Sequence, residues 1–462
     1  MIVIDKGRDN VITHHAEKRH FMAQNPVRTI CISFVLVILA GSILLTLPIC
    51  SRDGNFTPFL DALFTATSAT CVTGLIIYDT YQKFTPVGQV VILMLIQIGG
   101  LGLLTITSFF NVILGRKLGL RSAHLATESA SASELPDTPK LLKTIMMVSL
   151  VCEGVGALLL MLHFVPKYGS AGMGIGVFLA VSAFCNAGFD ILGREGAFVS
   201  LCNYNDDPLV LIVISSLIIM GGLGFVVWKD LAQYRRTKKL MLHTKIVVIV
   251  TTTLIVLGTL GFLVLEWGNP KTLGALPVPQ RVLASYFQSV TARTAGYNSI
   301  DNAAMGSISK LLTVVLMFIG ASPASTGGGI KTTTFTVLIL TVVSVMLGRD
   351  ETVIMKRRVD KQVVYKALAI MFLAGGVVLV TTFIIYFTMD VDSIDALFEA
   401  TSAFGTVGLT VGISPKANTV SKIAMILTMF LGRVGPVSLP LALAFRQHKR
   451  HEVIPEGKIL VG

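Results

Sequence analysis

Long apolar runs and short amphipathic runs alternate along this chain in an order that recurs four times. Each unit opens on an apolar segment near the 20 residues that a helix needs to cross a bilayer. A shorter amphipathic run follows, closes on glycine in a polar loop, and gives way to a second long apolar segment with a glycine-centred break. The pattern predicts outward-going helices over 29–49, 141–165, 246–267 and 365–389. It predicts returning helices over 87–113, 208–228, 309–347 and 421–445. The shorter runs, 59–70, 175–185, 281–292 and 393–404, are too brief to cross and predict half-helices that enter, stop midway and return as extended chain. Irregular backbone at membrane depth is tolerated only where protein buries it or where it lines a watery cavity. The loops are therefore expected to line something.

The four loops read Thr70-Cys71-Val72-Thr73-Gly74, Phe184-Cys185-Asn186-Ala187-Gly188, Ala292-Arg293-Thr294-Ala295-Gly296 and Phe404-Gly405-Thr406-Val407-Gly408. The first and last units align without a gap, from Asp61-Ala62-Leu63-Phe64 over Asp395-Ala396-Leu397-Phe398 through to Gly74 over Gly408. The predicted fold is thus an all-α membrane protein of eight transmembrane helices and four parallel helix–pore-loop–helix repeats around one pore. The repeats occupy 29–114, 141–230, 245–347 and 364–446, between an N-terminal segment 1–28 and a C-terminal tail 447–462. Inverted-repeat transporters would alternate in direction instead.

Composition agrees. Hydrophobic residues make up 53% of the 462 and charged residues 14%, with a mean hydropathy of +0.75. A soluble protein carries about 25% charge, so a soluble fold is excluded. The net charge of +12 is gathered in Lys18-Arg19-His20 to Arg28, Arg116-Lys117 to Arg121, Arg235-Arg236-Thr237-Lys238-Lys239, Lys356-Arg357-Arg358 and Arg446-Gln447-His448-Lys449-Arg450. Each cluster flanks an apolar segment on every second connection, the positive-inside signature. The basic patches are expected to face the cytoplasm and anionic membrane lipids, not nucleic acid, with both termini cytoplasmic. The first 28 residues are too polar and basic for a cleavable signal peptide. The six cysteines form no CxxC pair and no metal-ligand spacing.

A dehydrated cation needs a cage of oxygens, and backbone carbonyls supply one without fixed charge. Turning successive carbonyls to an axis demands unusual backbone angles, which glycine adopts without a Cβ penalty. Four loops in register, each closing on glycine, therefore predict a selectivity filter. The variable position Cys71, Cys185, Arg293 and Gly405 is expected to point behind it, since Arg293 on the axis would repel cations. Arg293 then needs a carboxylate or carbonyls on a pore helix. Asp190 is expected at the outer mouth or as an ordinary loop acid.

These residues resemble the Trk/Ktr/HKT superfamily of potassium-translocating proteins, most closely its Ktr-type membrane subunit, over nearly the whole chain from residue 28. The resemblance rests on the Ser-Ala-x-x-x-x-Gly loops of repeats one, two and four. It rests also on Thr291-Ala292-Arg293-Thr294-Ala295-Gly296-Tyr297-Asn298 and on the closing Pro455-Glu456-Gly457. The absence of two extra N-terminal helices favours Ktr over Trk. In the family a serine in the first loop goes with sodium transport, so Gly74 points to potassium. The resemblance implies a homodimer in the bacterial plasma membrane, resting on a cytosolic nucleotide-binding regulatory ring (KtrA-like). It implies no cofactor, potassium as cargo, and leaves open sodium as an activator.

The returning segments align at Ile98-Gly99-Gly100-Leu101, Met220-Gly221-Gly222-Leu223, Ile319-Gly320-Ala321-Ser322 and Leu431-Gly432-Arg433-Val434. The third continues Pro323-Ala324-Ser325-Thr326-Gly327-Gly328-Gly329-Ile330-Lys331, where no stable helix is expected because each glycine costs about 1 kcal/mol against alanine. It is no phosphate-binding loop, since no Gly-Lys-Ser/Thr ending follows. It resembles the family's intramembrane gating loop, which implies a gate built from Ala321 to Gly329, Lys331 and Arg433. A mid-membrane arginine is a functional expectation by default; its structural alternative is an ion pair with Glu153. A membrane enzyme is disfavoured, for no HExxH or GxSxG occurs. A secondary transporter of another small solute or cation would show a midplane cavity with specific polar anchors in place of four equivalent loops.

Overall fold

The computed structural model describes residues 26–102, 105–106 and 138–435. The basic clusters at 116–121 and 446–450, nearly all of that around 18–28, most of the 115–140 connection and the 447–462 tail lie outside these residues. So do the later parts of the first and fourth returning segments.

The first unit contains α1 (Pro26–Thr46), α2 (Phe59–Thr70) and α3 (Pro86–Leu101). The second contains α4 (Thr138–Tyr168), α5 (Ser170–Phe184), α6 (Pro208–Leu223) and α7 (Phe225–Thr237). The third runs through α8 (Leu242–Glu266), α9 (Val278–Thr291), α10 (Ser307–Phe318) and α11 (Thr332–Met346). A two-stranded hairpin, β1 (Val353–Ile354) with β2 (Arg357–Arg358), leads to the fourth unit, α12 (Lys361–Met389), α13 (Ser393–Gly405) and α14 (Thr419–Val434). Within the described residues four helices are long and apolar enough to cross a membrane, five if the bent pair α6–α7 is one span.

The ranges of the four long helices that open the units, and of the four short ones, match the sequence expectation within a few residues. The returning segments differ from it. Three of them break within the described residues, and the fourth is described only as far as the glycine that ends its helix. α3 stops at Gly102 (φ +82) and α14 at Gly435 (φ +99), while α6 and α7 meet at Gly224 (φ +95) with a 93° bend. Between α10 and α11 the chain leaves helical geometry altogether over 319–331. Hydropathy carries straight through these points, so the expected spans 208–228 and 309–347 ran on past breaks that glycine makes. Three returning helices start on a polar cap. Thr85 Oγ1 accepts from Gly88 N, Asp207 Oδ1 from Leu209 N, and Asn418 Oδ1 from Ser421 N, and proline occupies the first turn of α3 and α6.

Burial is arranged inside out relative to a soluble protein. Phe372 and Phe387 on α12 are 79% and 77% exposed, whereas Thr65, Thr67, Ser68 and Thr70 of α2 are buried. Large apolar side chains on the outer surface suit lipid, and the short helices α2, α5, α9 and α13 fill the interior. Ion pairs stitch neighbouring units together. Lys422 of α14 holds Asp61 of α2 at 2.6 Å, and Lys310 of α10 holds Asp395 of α13 at 2.7 Å. Asp61 and Asp395 are aligned positions, so each short helix is gripped by the returning helix of another unit. Removing one member of a largely buried pair strands its partner, at a cost of about 3–5 kcal/mol. Lys422→Met is therefore expected to lower thermal stability in detergent sharply, and Asp61→Asn on top of it to restore most of the loss. A double variant no better than the single one would contradict the pairing.

Candidate functional site

The four short helices end where the four loops begin, and the loops share one backbone pattern. In each, the residue two before the glycine and the glycine itself take positive φ: Val72 and Gly74, Asn186 and Gly188, Thr294 and Gly296, Thr406 and Gly408. In three loops the N–H just before the glycine returns to a serine carbonyl five residues back: Thr73 to Ser68, Ala187 to Ser182 and Val407 to Ser402. Ala295 bonds to Thr291, four back, so the third loop is the tighter one. Ser68 and Ser402, again aligned positions, also accept from Gly74 N and Gly408 N at 3.1 Å. The C-terminal ends of four helices, each carrying partial negative charge, thus lead into four equivalent loops.

The glycines close a ring. A Cβ on Gly74 would lie 2.5 Å from the Ala187 carbonyl oxygen, and one on Gly188 2.5 Å from that of Ala295. One on Gly296 would lie 2.4 Å from that of Val407, and one on Gly408 2.2 Å from that of Thr73. Loop one meets two, two meets three, three meets four, and four meets one. Backbone approaches backbone so closely at each step that only glycine fits.

Cys71 and Cys185 are fully buried beside this ring and Arg293 is 7% exposed. Arg293 departs from expectation. Its guanidinium reaches neither a carboxylate nor a short-helix carbonyl but Thr251 of α8, through the carbonyl at 3.5 Å and the hydroxyl at 3.4 Å. The side chain is long enough to pass beyond α9 to the outer helix. Asn186, with its amide oriented to satisfy both ends, donates to the Ala183 and Ile218 carbonyls and accepts from Thr294 Oγ1 at 3.2 Å, joining loops two and three. Asp190, on the connection after the second loop, accepts from Leu192 N at 3.0 Å. Burial pushes its carboxyl up to about 6, against the Leu192 N–H that pulls it down, and Asp79 adds to the rise.

The segment from Ile319 to Lys331 packs against these loops. Thr326 Oγ1 donates to the Phe184 carbonyl at 3.1 Å. A Cβ on Gly327 would lie 2.2 Å from Thr294 Oγ1, and one on Gly328 2.3 Å from Thr406 Oγ1. The segment folds back on itself, Gly320 N donating to the Ile330 carbonyl at 2.8 Å, Ser325 Oγ to that of Ser322 at 2.6 Å, and Lys331 Nζ to that of Gly327 at 2.6 Å. Ser322 N and Thr326 N donate to the Gly222 and Gly221 carbonyls, and Phe225 N donates to that of Ala324 at 2.7 Å. Gly224 meets the Pro323 carbonyl, where a Cβ would come within 2.5 Å. Arg433 completes the arrangement. Nη1 donates to the Thr326 carbonyl, and Nη2 donates to those of Gly99 at 2.5 Å and Gly100 at 3.2 Å. The second break thus touches this segment directly through the Gly221 and Gly222 carbonyls, the fourth touches it through Arg433, and the first is joined to it by way of Arg433. Glu153 does not pair with Arg433; it accepts from Gln97 Nε2 at 3.0 Å, tying α4 to α3.

Sequence reading passed over Glu399, although it is the acid at a position where the aligned first unit has Thr65. It is fully buried and accepts from Thr410 Oγ1 at 2.9 Å and Ser414 N at 2.9 Å, and from Ser414 Oγ. It thereby pins the chain that leaves the fourth loop. An unpaired buried polar group costs about 1–3 kcal/mol, so Glu399→Ala, which frees several, is expected to destabilise the protein strongly, with Glu399→Gln intermediate. Thermal unfolding in detergent checks this, and equal stability of all three proteins would contradict it.

Comparison with known proteins identifies the family and the fold. The family model for TrkH, described as a cation transport protein, matches residues 2–452. Ktr system potassium uptake protein B of Bacillus subtilis is 40% identical over 438 residues, covering 95% of this chain and 97% of that protein. Potassium/sodium uptake protein NtpJ of Enterococcus hirae is 37% identical, covering 96% and 99%. The crystal structure of the potassium transporter TrkH from Vibrio parahaemolyticus superposes with a TM-score of 0.69 over 90% of this chain and 83% of that one, at 17% identity, and so shares the fold. A ring of four glycine loops, several apolar helices, and a family match over almost the entire length lead to one conclusion: this multi-pass plasma-membrane chain belongs to the TrkH family of cation transport proteins.

Proposed function

We propose that the chain carries potassium across the plasma membrane through one pore at the centre of the glycine ring. Residues 70–74, 184–188, 292–296 and 404–408 are its selectivity filter, with backbone carbonyls as the ligands. Four units of two crossings and one re-entrant loop surround the axis, with the basic turns cytoplasmic. The observation that carries this reading is the closure of the ring: four loops with one pattern of positive φ, each in contact with the next. A path for a bare cation needs oxygens from several sides at once, and no single loop offers that.

The segment 321–329 with Lys331 is the gate and Arg433 is its brace. A guanidinium presents five donors and a permanent charge. Here it joins three carbonyls from two units while placing a positive charge next to the route of a cation. A homodimer bound to a cytosolic nucleotide-sensing ring supplies regulation on this reading; the Ktr system naming of the relatives supports its coarser part, a system of more than one component. Sodium enters as a second reading, as a coupled or activating ion, on the name of the potassium/sodium uptake relative. Rubidium uptake into a bacterial strain deficient in potassium uptake, with and without sodium, tests both. Uptake suppressed by potassium and restored growth are expected; rubidium uptake no higher than in the parent strain would contradict the assignment.

A further inference from the structure

The turn that joins α7 to α8 forms an open, surface-exposed cavity of about 570 Å³ against the hairpin that precedes α12. Asp230, Gln233 and Thr237 line it from one face of α7, Lys239 and His243 from the turn and the start of α8, and Arg357 from β2. Asp230 is already engaged, for its Oδ2 accepts Met241 N at 2.9 Å and shapes the turn. Among the described residues neither Lys239 Nζ nor the Arg357 guanidinium has a hydrogen-bond or ion-pair partner, although the adjacent Arg358 is paired with Glu351 at 2.8 Å. The Thr237 hydroxyl is taken up within the turn, donating to the Gln233 and Lys239 carbonyls. Two unpaired cations, an amide and an imidazole, set against the single Asp230 carboxylate, are what the opening offers an anion with several oxygens. An arginine fork and a lysine ammonium together match phosphate.

The direction of α7 argues for one source of that phosphate. α7 turns 93° from α6, so if α6 crosses the bilayer α7 lies in its plane. It carries Trp228 and Tyr234 and ends on Arg235 and Arg236, the composition of a helix at the lipid–water boundary. The cavity then opens at headgroup level on the basic face. We propose that it binds the phosphate of an anionic phospholipid, on the orientation given under the proposed function. The other end of α7 is in contact with the gate, where Phe225 N donates to the Ala324 carbonyl. A headgroup held by Lys239 and Arg357 therefore braces, about 20 Å away along the helix, the element on which residues 323–326 rest.

Native mass spectrometry of the purified protein titrated with phosphatidylglycerol or phosphatidylcholine tests this without any transport assay. The expected result is preferential retention of phosphatidylglycerol that falls roughly 30-fold when Lys239→Gln and Arg357→Gln are combined, since each basic residue near a membrane contributes about fivefold. Lys239→Arg should keep it, and so should the double control Lys271→Gln with Lys416→Gln, which removes equal charge at two exposed positions away from this cavity. Displacement of the lipid by millimolar inorganic phosphate would reassign the site to a soluble anion and overturn the lipid source. Retention unchanged by the paired glutamines would overturn the site, and if the same variant lost its cytosolic partner the cavity would be a protein contact instead. Failure of potassium uptake alone would bear on the proposed function and leave the lipid titration intact.

Discussion

Replacing Gly74 by serine is expected to lower potassium-over-sodium selectivity by roughly 10- to 100-fold while leaving the protein in the membrane. The backbone there has φ +90, and a Cβ would lie 2.5 Å from the Ala187 carbonyl oxygen. A side chain forces both the strained angle and a displaced neighbour, of order 1–3 kcal/mol, and the displaced atom belongs to the next loop in the ring. If the loop carbonyls ligate the ion as proposed, the fit of the cage to the larger ion is lost first, because its ligands are the atoms that move. Gly74→Ala brings the same Cβ without a hydroxyl and should show most of the loss. Competition between the two ions in uptake, normalised to membrane protein level, measures it. Unchanged selectivity in both variants would remove Gly74 from the ion path.

Arg433→Ala is expected to raise potassium uptake at least roughly tenfold in cells that lack the cytosolic partner. The guanidinium holds the Thr326, Gly99 and Gly100 carbonyls together, and hydrogen bonds to a charged group contribute about 1.5–3 kcal/mol each. Losing even one such contribution from the closed state exceeds the 1.4 kcal/mol that a tenfold change in rate requires. On the proposed ion path, removing the charge would also lift its repulsion of passing cations. Arg433→Lys should recover only part of the restraint, since an ammonium lacks the planar fork that spans several carbonyls. Deletion of 322–329 should act in the same direction. A fall in uptake for both the alanine variant and the deletion, at constant protein level, would make this segment part of the conduction machinery and not a gate.

Much of this architecture was legible because it repeats. Gly74 and Gly408 sit at matched places in stretches that align without a gap, and the same loop grammar carries over to Gly188 and Gly296. The short helices could be read from length alone, as runs too brief to cross. The breaks were harder. Hydropathy continues through Gly224 to Trp228, so nothing apolar or polar marks the 93° turn; the signal was the third glycine after Gly221 and Gly222, followed by the amphipathic Trp228-Lys229-Asp230. The partner of Arg293, Thr251 on α8, depends on packing between helices distant in sequence. The same holds for the Asp61–Lys422 and Asp395–Lys310 pairs, whose members look like ordinary surface charges until the units are arranged around an axis. Arg433 was identifiable as an expensive intramembrane charge, while its acceptors Gly99 and Gly100 are backbone atoms that carry no side-chain signature.

The central claim is that four loops share one cation path. Rubidium scatters anomalously and substitutes for potassium, so crystals grown in rubidium chloride place the ion directly. The account predicts anomalous peaks on the axis of the ring formed by Gly74, Gly188, Gly296 and Gly408, with oxygens from all four loops around them. Rubidium bound within a single unit, or between two units away from that axis, would contradict it.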